Sequence, residues 1–232
     1  MSNPSIEFTM LDNAVDSMER VVELLAWHRD MRDNSRLKQA IILTAHSIEL
    51  LLKERLRRVH PSLIWEDVDK YPRLDARTVT VDKAIHRLQS IAGIALHEKD
   101  ARIVRSLRDT RNAVEHFSWQ TTTQEANHII GQGLSFAISF AKTHLATDLM
   151  YRFRDDNTWA VLIETNEKFA SAYDVRVKNA VQFPPEQLGE CSFCRAMAKS
   201  TATGACTICG HWEYRHQEKV EAHDTFNDDI PF

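Results

Sequence analysis

The chain of 232 residues carries 29 Lys+Arg against 33 Asp+Glu, a formal net charge of −4, with 43% hydrophobic and 27% charged residues. That mix belongs to a globular chain with a real core, in one or two domains, and the balance excludes the strongly basic class of nucleic-acid binders. Six glycines and six prolines are too few for the many turns of an all-β fold, so the expectation is a mainly α protein.

The opening "MSNPSIEFTM" has no basic stretch followed by an apolar one, so no secretory leader is read there. No apolar run reaches the roughly 20 residues that cross a bilayer, and the expected location is the cytoplasm, with no membrane partner. Charge is unevenly spread. Residues 1–150 hold 20 Lys+Arg and 20 Asp+Glu, whereas residues 151–232 hold 9 against 13 and supply the whole deficit.

In chain order, Leu11, Val15, Met18, Val22 and Leu25 alternate steps of four and three, predicting a helix over 10–30 with one buried stripe. "RDNSR" (32–36) breaks it and offers Asn34 or Ser35 as the next N-cap. Residues 36–59 are apolar around most of the circumference, which predicts a central helix, stopped by Pro61. Its polar strip is Gln39, His46, Glu49, Lys53 and Arg57. Residues 60–79 read as an irregular insert with a short helix in "SLIWEDVDK".

A third helical stretch starts near Thr80 or Val81, is interrupted at Gly93, and resumes near Asp100 to run to Phe117. Thr122 with Glu125 three residues on is a capping box. Ala126, Ile130, Gly133, Ala137 and Phe140 then carry a long helix to about Met150, in which Gly131 and Gly133 imply close packing against a neighbour. Four long helices with short connections predict a helical bundle over 8–150.

Residues 151–186 read as a connector. "YRFRDDNTWAVLIE" fits a hairpin or the approach to a helix, and Phe169, Tyr173 and Val177 predict a helix over 164–181. "FPPEQLGE" (183–190) reads as a stiff linker. Residues 187–216 hold all four cysteines, and 217–232 form an acidic tail with a solvating role.

The segment "RNAVEHFSW" (111–119) concentrates chemistry at the end of the third helical stretch. On a wheel of about 100° per residue, Ile103, Leu107, Thr110, Val114 and Phe117 form the core stripe. Measured from Ile103, Arg111 lies near 80°, Asn112 near 180° and His116 near 220°, so the imidazole points off the core. Arg111 and His116 stand about 140° and ~7.5 Å apart, too far for one straight helix to aim both at one atom. A two-fold dimer would bring two copies into one cleft. An Arg111–Glu115 surface pair is the plainer reading of the same residues. Arg102, Arg105, Arg108 and Arg111 recur every third residue as a winding basic strip, equally a solvated face or a phosphate contact.

Arg-Asn-x-x-x-His late in the third long helix, with a second helix reading "AHSIELLLKERL" (45–56), resembles the HEPN superfamily over residues 8–150. The resemblance implies an up-down helical bundle and a metal-independent endoribonuclease, active as a homodimer and often a toxin or phage-defence effector with an antitoxin or regulatory partner. It assigns catalysis to Arg111, Asn112 and His116. His116 would move protons at the ribose 2′-hydroxyl or the leaving 5′-oxygen, Arg111 would hold the phosphoryl oxygens, and a 2′,3′-cyclic phosphate would result. Arg102, Arg105 and Arg108, with His46 and Glu49 of the second helix, are the candidates to contact RNA, although an intrahelical salt bridge is the first expectation for Glu49. Superfamily members without catalysis serve as nucleotide- or protein-binding modules, which keeps that alternative open.

The cysteines form two Cys-x-x-Cys pairs, "CSFC" (191–194) and "CTIC" (206–209), separated by eleven residues. Each pair can occupy one edge of a tetrahedral Zn2+, so Cys191, Cys194, Cys206 and Cys209 predict a structural zinc ribbon. Four thiolates leave no open coordination position, and Gly210 permits the tight turn after the second pair. Phe193, Trp212 and Tyr214 either pack the ribbon or stack bases.

Overall fold

The first helix begins at a reciprocal cap: the Asp12 amide donates to the Thr9 hydroxyl at 3.1 Å and the Thr9 amide donates to the Asp12 carboxylate at 3.3 Å. The computed structural model describes residues 6–27, 34–149, 158–165, 167–180, 184–193, 195–206 and 211–212. Among them run α1 (Met10–Ala26), α2 (Asn34–Arg57), α3 (Val81–Ser90), α4 (Glu98–His116), α5 (Thr123–Leu145), α6 (Thr158–Thr165) and α7 (Glu167–Ala180), then strands β1 (Leu188–Glu190) and β2 (Met197–Ser200). The protein is mainly α-helical with a small antiparallel sheet near its C-terminal end.

The predicted stripe of α1 is buried at Met18, Val22 and Leu25 and half-buried at Leu11 and Val15. It packs along α2, the central helix, which also touches α3, α4 and α5. Helix α2 already includes Asn34 and Ser35, so both sit in its first turn rather than at its cap. Two charged residues on its length are buried in compensated form. Lys53 donates to Glu49 at 2.5 Å and to the Thr78 hydroxyl at 2.9 Å, and Glu54 accepts from both Arg57 and Arg58. Burial raises the pKa of Glu54, but the two guanidinium groups outweigh it and hold the carboxyl below its ordinary value.

The insert contains two short 3-10 turns, Pro61–Ile64 and Val68–Lys70, in place of one short helix. The third helical stretch is two helices, as the break at Gly93 requires: this residue has φ +67, a conformation glycine adopts without strain. Helix α5 starts at the predicted capping box, Thr122 with Glu125, and ends at Ala146 in the left-handed region, short of Met150. Gly131 and Gly133 are both buried. A Cβ at 133 would stand 2.8 Å from Thr44 Cγ2 and 2.9 Å from Leu107 Cδ2, so the glycine lets α5 lie against α2 and α4.

Residues 158–180 add to the bundle. Trp159, Phe169 and Tyr173 are buried and meet as one aromatic cluster, with ring centroids 5.3–5.4 Å apart. Helix α7 packs on α5, Arg176 pairs with Asp100 of α4 at 2.5 Å, and the Trp27 indole donates to the Thr158 hydroxyl at 2.9 Å. The connector therefore forms a layer on the bundle. The hairpin reading of 151–157 falls outside the described residues. Of the 183–190 linker, Pro185–Gln187 forms a 3-10 turn and Leu188–Glu190 is strand β1, because its backbone pairs with β2. The acidic tail also lies outside the described residues. No helix among them is long and apolar enough to cross a membrane.

Candidate functional site

Helix α4 presents Arg111, Asn112 and His116 on its last two turns. The Arg111 guanidinium pairs with the Glu115 carboxylate one turn on, and donates to Asn112 Oδ1 at 3.2 Å. It faces a narrow cleft shared with Arg108 and with Glu49 of α2. His116 is the last residue of the helix and is exposed, in line with its place on the wheel. Arg111 and Asn112 thus touch each other, and His116 is exposed one turn beyond Asn112 on the same side of the helix, turned away from Arg111.

The core stripe departs from its predicted course. Ala101, Ile103, Val104 and Leu107 are buried, but Thr110 and Val114 are only half-buried and Phe117 is 75% exposed. At the last turn of α4 the apolar side chains that continue the stripe border an open groove in place of the packed core.

The arginine strip is ion-paired along its length. Arg102 donates to Glu98 at 2.9 Å in an exposed pair. Arg105 donates to Asp82 of α3 at 2.8 Å, and Arg108 joins the same carboxylate while also pairing with Asp109. The Arg105 hydrogen bond, with Arg108 adding to it, holds the Asp82 carboxyl below its ordinary value against the opposing effect of burial. Asp82 joins the two helices across this face, and nothing in the local spacing of the arginines signals it. His46 is exposed on α2, and Glu49 makes the intrahelical bridge to Lys53 that its spacing predicts.

A groove of about 970 Å³ lies between the start of α2, the end of α4 and the start of α5, lined on α4 by Val114 and Phe117. Leu37, Ile41 and Ala126 are its buried floor, while Lys38, Phe117 and Trp119 stand on its walls. Trp119 also borders a second groove of about 560 Å³ that contains Arg102 and Arg105. Lys38 was not a candidate from the sequence. Its signal is a tertiary one, three helix ends meeting.

Two of the C-terminal cysteines lie at a small sheet: Cys191 directly follows β1, and Cys206 bridges to Lys199 of β2. β1 pairs antiparallel with β2, and bridges at Lys199–Cys206 and Ala205–Trp212 continue the ladder. Cys191 and Cys206 are buried; Cys194 and Cys209 lie outside the described residues. Around the first pair, the Arg195 amide donates to the Cys191 carbonyl at 2.9 Å and Arg195 takes φ 59. Arg195 follows its pair as Gly210 follows the second, and it adopts the left-handed conformation that a tight turn after Cys-x-x-Cys needs. The Phe193 ring stacks on His211 with centroids 5.3 Å apart, which brings residues of the two cysteine segments together. The donor set and this turn fit a thiolate-held metal, for which Cys191 and Cys206 would each supply one sulfur. Trp212 is half-exposed, with its indole donating to the Thr203 carbonyl at 2.8 Å.

No family model matches the chain, and neither a curated protein nor a solved structure matches it.

Proposed function

We propose that the chain is a HEPN-type endoribonuclease that acts as a homodimer, with Arg111, Asn112 and His116 at a cleft shared by two α4 helices. The observation that carries this reading is the exposed His116 on the final turn of α4, one turn beyond an Arg111 steadied by Asn112 and Glu115. In one chain these groups do not converge, so the second copy supplies the missing half of the site. One imidazole removes the proton of a ribose 2′-hydroxyl, whose oxygen forms a bond to phosphorus. The 5′-oxygen leaves and takes a proton from the other imidazole, giving a 2′,3′-cyclic phosphate and a 5′-hydroxyl. Arg111 stabilises the charge on the pentavalent phosphorus once RNA phosphate displaces Glu115. The chemistry calls for no catalytic metal.

The zinc we assign to Cys191, Cys194, Cys206 and Cys209 has a structural role, closed to substrate by its four thiolates. A reducing cytoplasm suits that site, and a toxin or phage-defence role with an antitoxin or regulatory protein suits the activity. The engagement of all four arginines by carboxylates favours a second reading, a non-catalytic HEPN-like module that binds a nucleotide or a protein.

Digestion of RNA without added divalent cations separates the two. The parent chain is expected to cleave and His116→Ala to lose about 10²–10⁴-fold in rate while keeping its helical circular dichroism. Equal cleavage by the variant rejects the ribonuclease reading, and no cleavage by either leaves the binding module.

A further inference from the structure

The groove between the ends of α2, α4 and α5 has a composition that the bundle itself does not need. Phe117 leaves α4 in extended backbone at φ −135 and ψ 172, and an extended chain places residues i and i+2 on one side. Phe117 and Trp119 accordingly line the same groove. Exposing 75% of a phenylalanine at the mouth of a cavity forfeits hydrophobic stabilisation that a bound flat ring would restore.

The polar groups around it discriminate between ligands. At the α5 end, the Thr121 and Thr122 hydroxyls both donate to Glu125, at 3.0 and 3.1 Å. The Thr122 amide and these hydroxyls hold that carboxyl below its ordinary value, so it stays charged. This end repels phosphate and tolerates a neutral ring. Lys38 is the cation on the opposite wall, and Asn34 and Gln120 offer primary amides of the kind that read base edges.

We propose that this groove is a single-base pocket for single-stranded RNA, holding one unstacked nucleobase against Phe117 and Trp119 at the end of α4. The inference rests on the ribonuclease reading and adds its substrate class. Lys38 meets a flanking phosphate. The strand continues over Trp119 into the neighbouring groove, where Arg102, released from its exposed pair with Glu98, meets another. A duplex keeps its bases stacked and cannot enter.

Fluorescence anisotropy with a labelled 2′-O-methyl oligoribonucleotide, which cannot undergo 2′-oxygen attack, tests this on the full chain. The parent should bind the single strand and bind the same sequence as a duplex far more weakly. Trp119→Ala should weaken single-strand binding about ten-fold or more, and Phe117→Ala, at a solvent-exposed position with little effect on folding, about five-fold or more. Equal binding of strand and duplex, no binding of either, or parental affinity in Phe117→Ala overturns the pocket. The same variants on cleavable RNA keep the two readings apart. Phe117-dependent binding without cleavage by the parent retires the ribonuclease and leaves the pocket. Cleavage with parental affinity, rate and cut-site preference in Phe117→Ala retires the pocket and leaves the ribonuclease.

Discussion

The helical bundle and the cysteine-bearing sheet are built on different energetic terms. The bundle buries large side chains in continuous rows, among them Met18, Ile41, Ile48, Leu51, Leu52, Leu88, Leu107, Ile130 and Leu134. Each such residue contributes about 1.5–3 kcal/mol on burial, so the helices hold without help. Among the described residues, the buried side chains of the sheet are small, Cys191, Ala196, Ala198, Ser200 and Cys206, and its strand β2 packs on α7. Such side chains bring little apolar volume of their own, and the zinc we assign to the paired cysteines is the group expected to add to this stability.

The largest expected effect follows from that contrast. If the assigned zinc is present, purified chain should carry it, and a strong chelator should unravel residues 187–216 while the helices keep their circular dichroism. The loss corresponds to a metal-binding free energy of about 10–16 kcal/mol. Limited proteolysis before and after chelation checks it, and equal resistance in both states with no zinc bound would reject the metal.

Breaking the other half of the contrast needs volume. Gly133→Val places methyl groups where Thr44 and Leu107 already sit, and should lower the urea-unfolding free energy of the bundle by about 1–3 kcal/mol without disturbing zinc content.

A smaller effect comes from Glu54, whose folded pKa is lowered. Its contribution is present in full above the ordinary carboxyl range and lost as pH falls through the lowered folded value. Glu54→Gln should cost about 1 kcal/mol at pH 7, since its arginine partners are partly exposed, and the gap to the parent should close toward pH 3. Urea midpoints across that range measure it; a constant gap would mean that the carboxylate charge is not the source.

The smallest effect is reserved for Arg102. Its pair with Glu98 is solvent-exposed on both sides, so Arg102→Ala should change stability by less than about 0.5 kcal/mol. If the proposed RNA path is right, the same change reduces the salt dependence of RNA binding.

The sequence by itself determined the helix start at Thr122–Glu125, the break at Gly93, the central position of α2, and the outward placement of His116. All of these depend on spacings of a few residues or on one helix's own periodicity, where geometry is set by 3.6 residues per turn. Only the tertiary structure decided that Asp82 ties down Arg105 and Arg108, residues 23 and 26 positions away, and that α6 and α7 join the bundle. It also decided that Phe117 leaves the core stripe and overhangs a groove. A wheel drawn for one helix assumes a packed neighbour along its whole length, and here the last residues of the stripe border a groove between the first turns of α2 and α5.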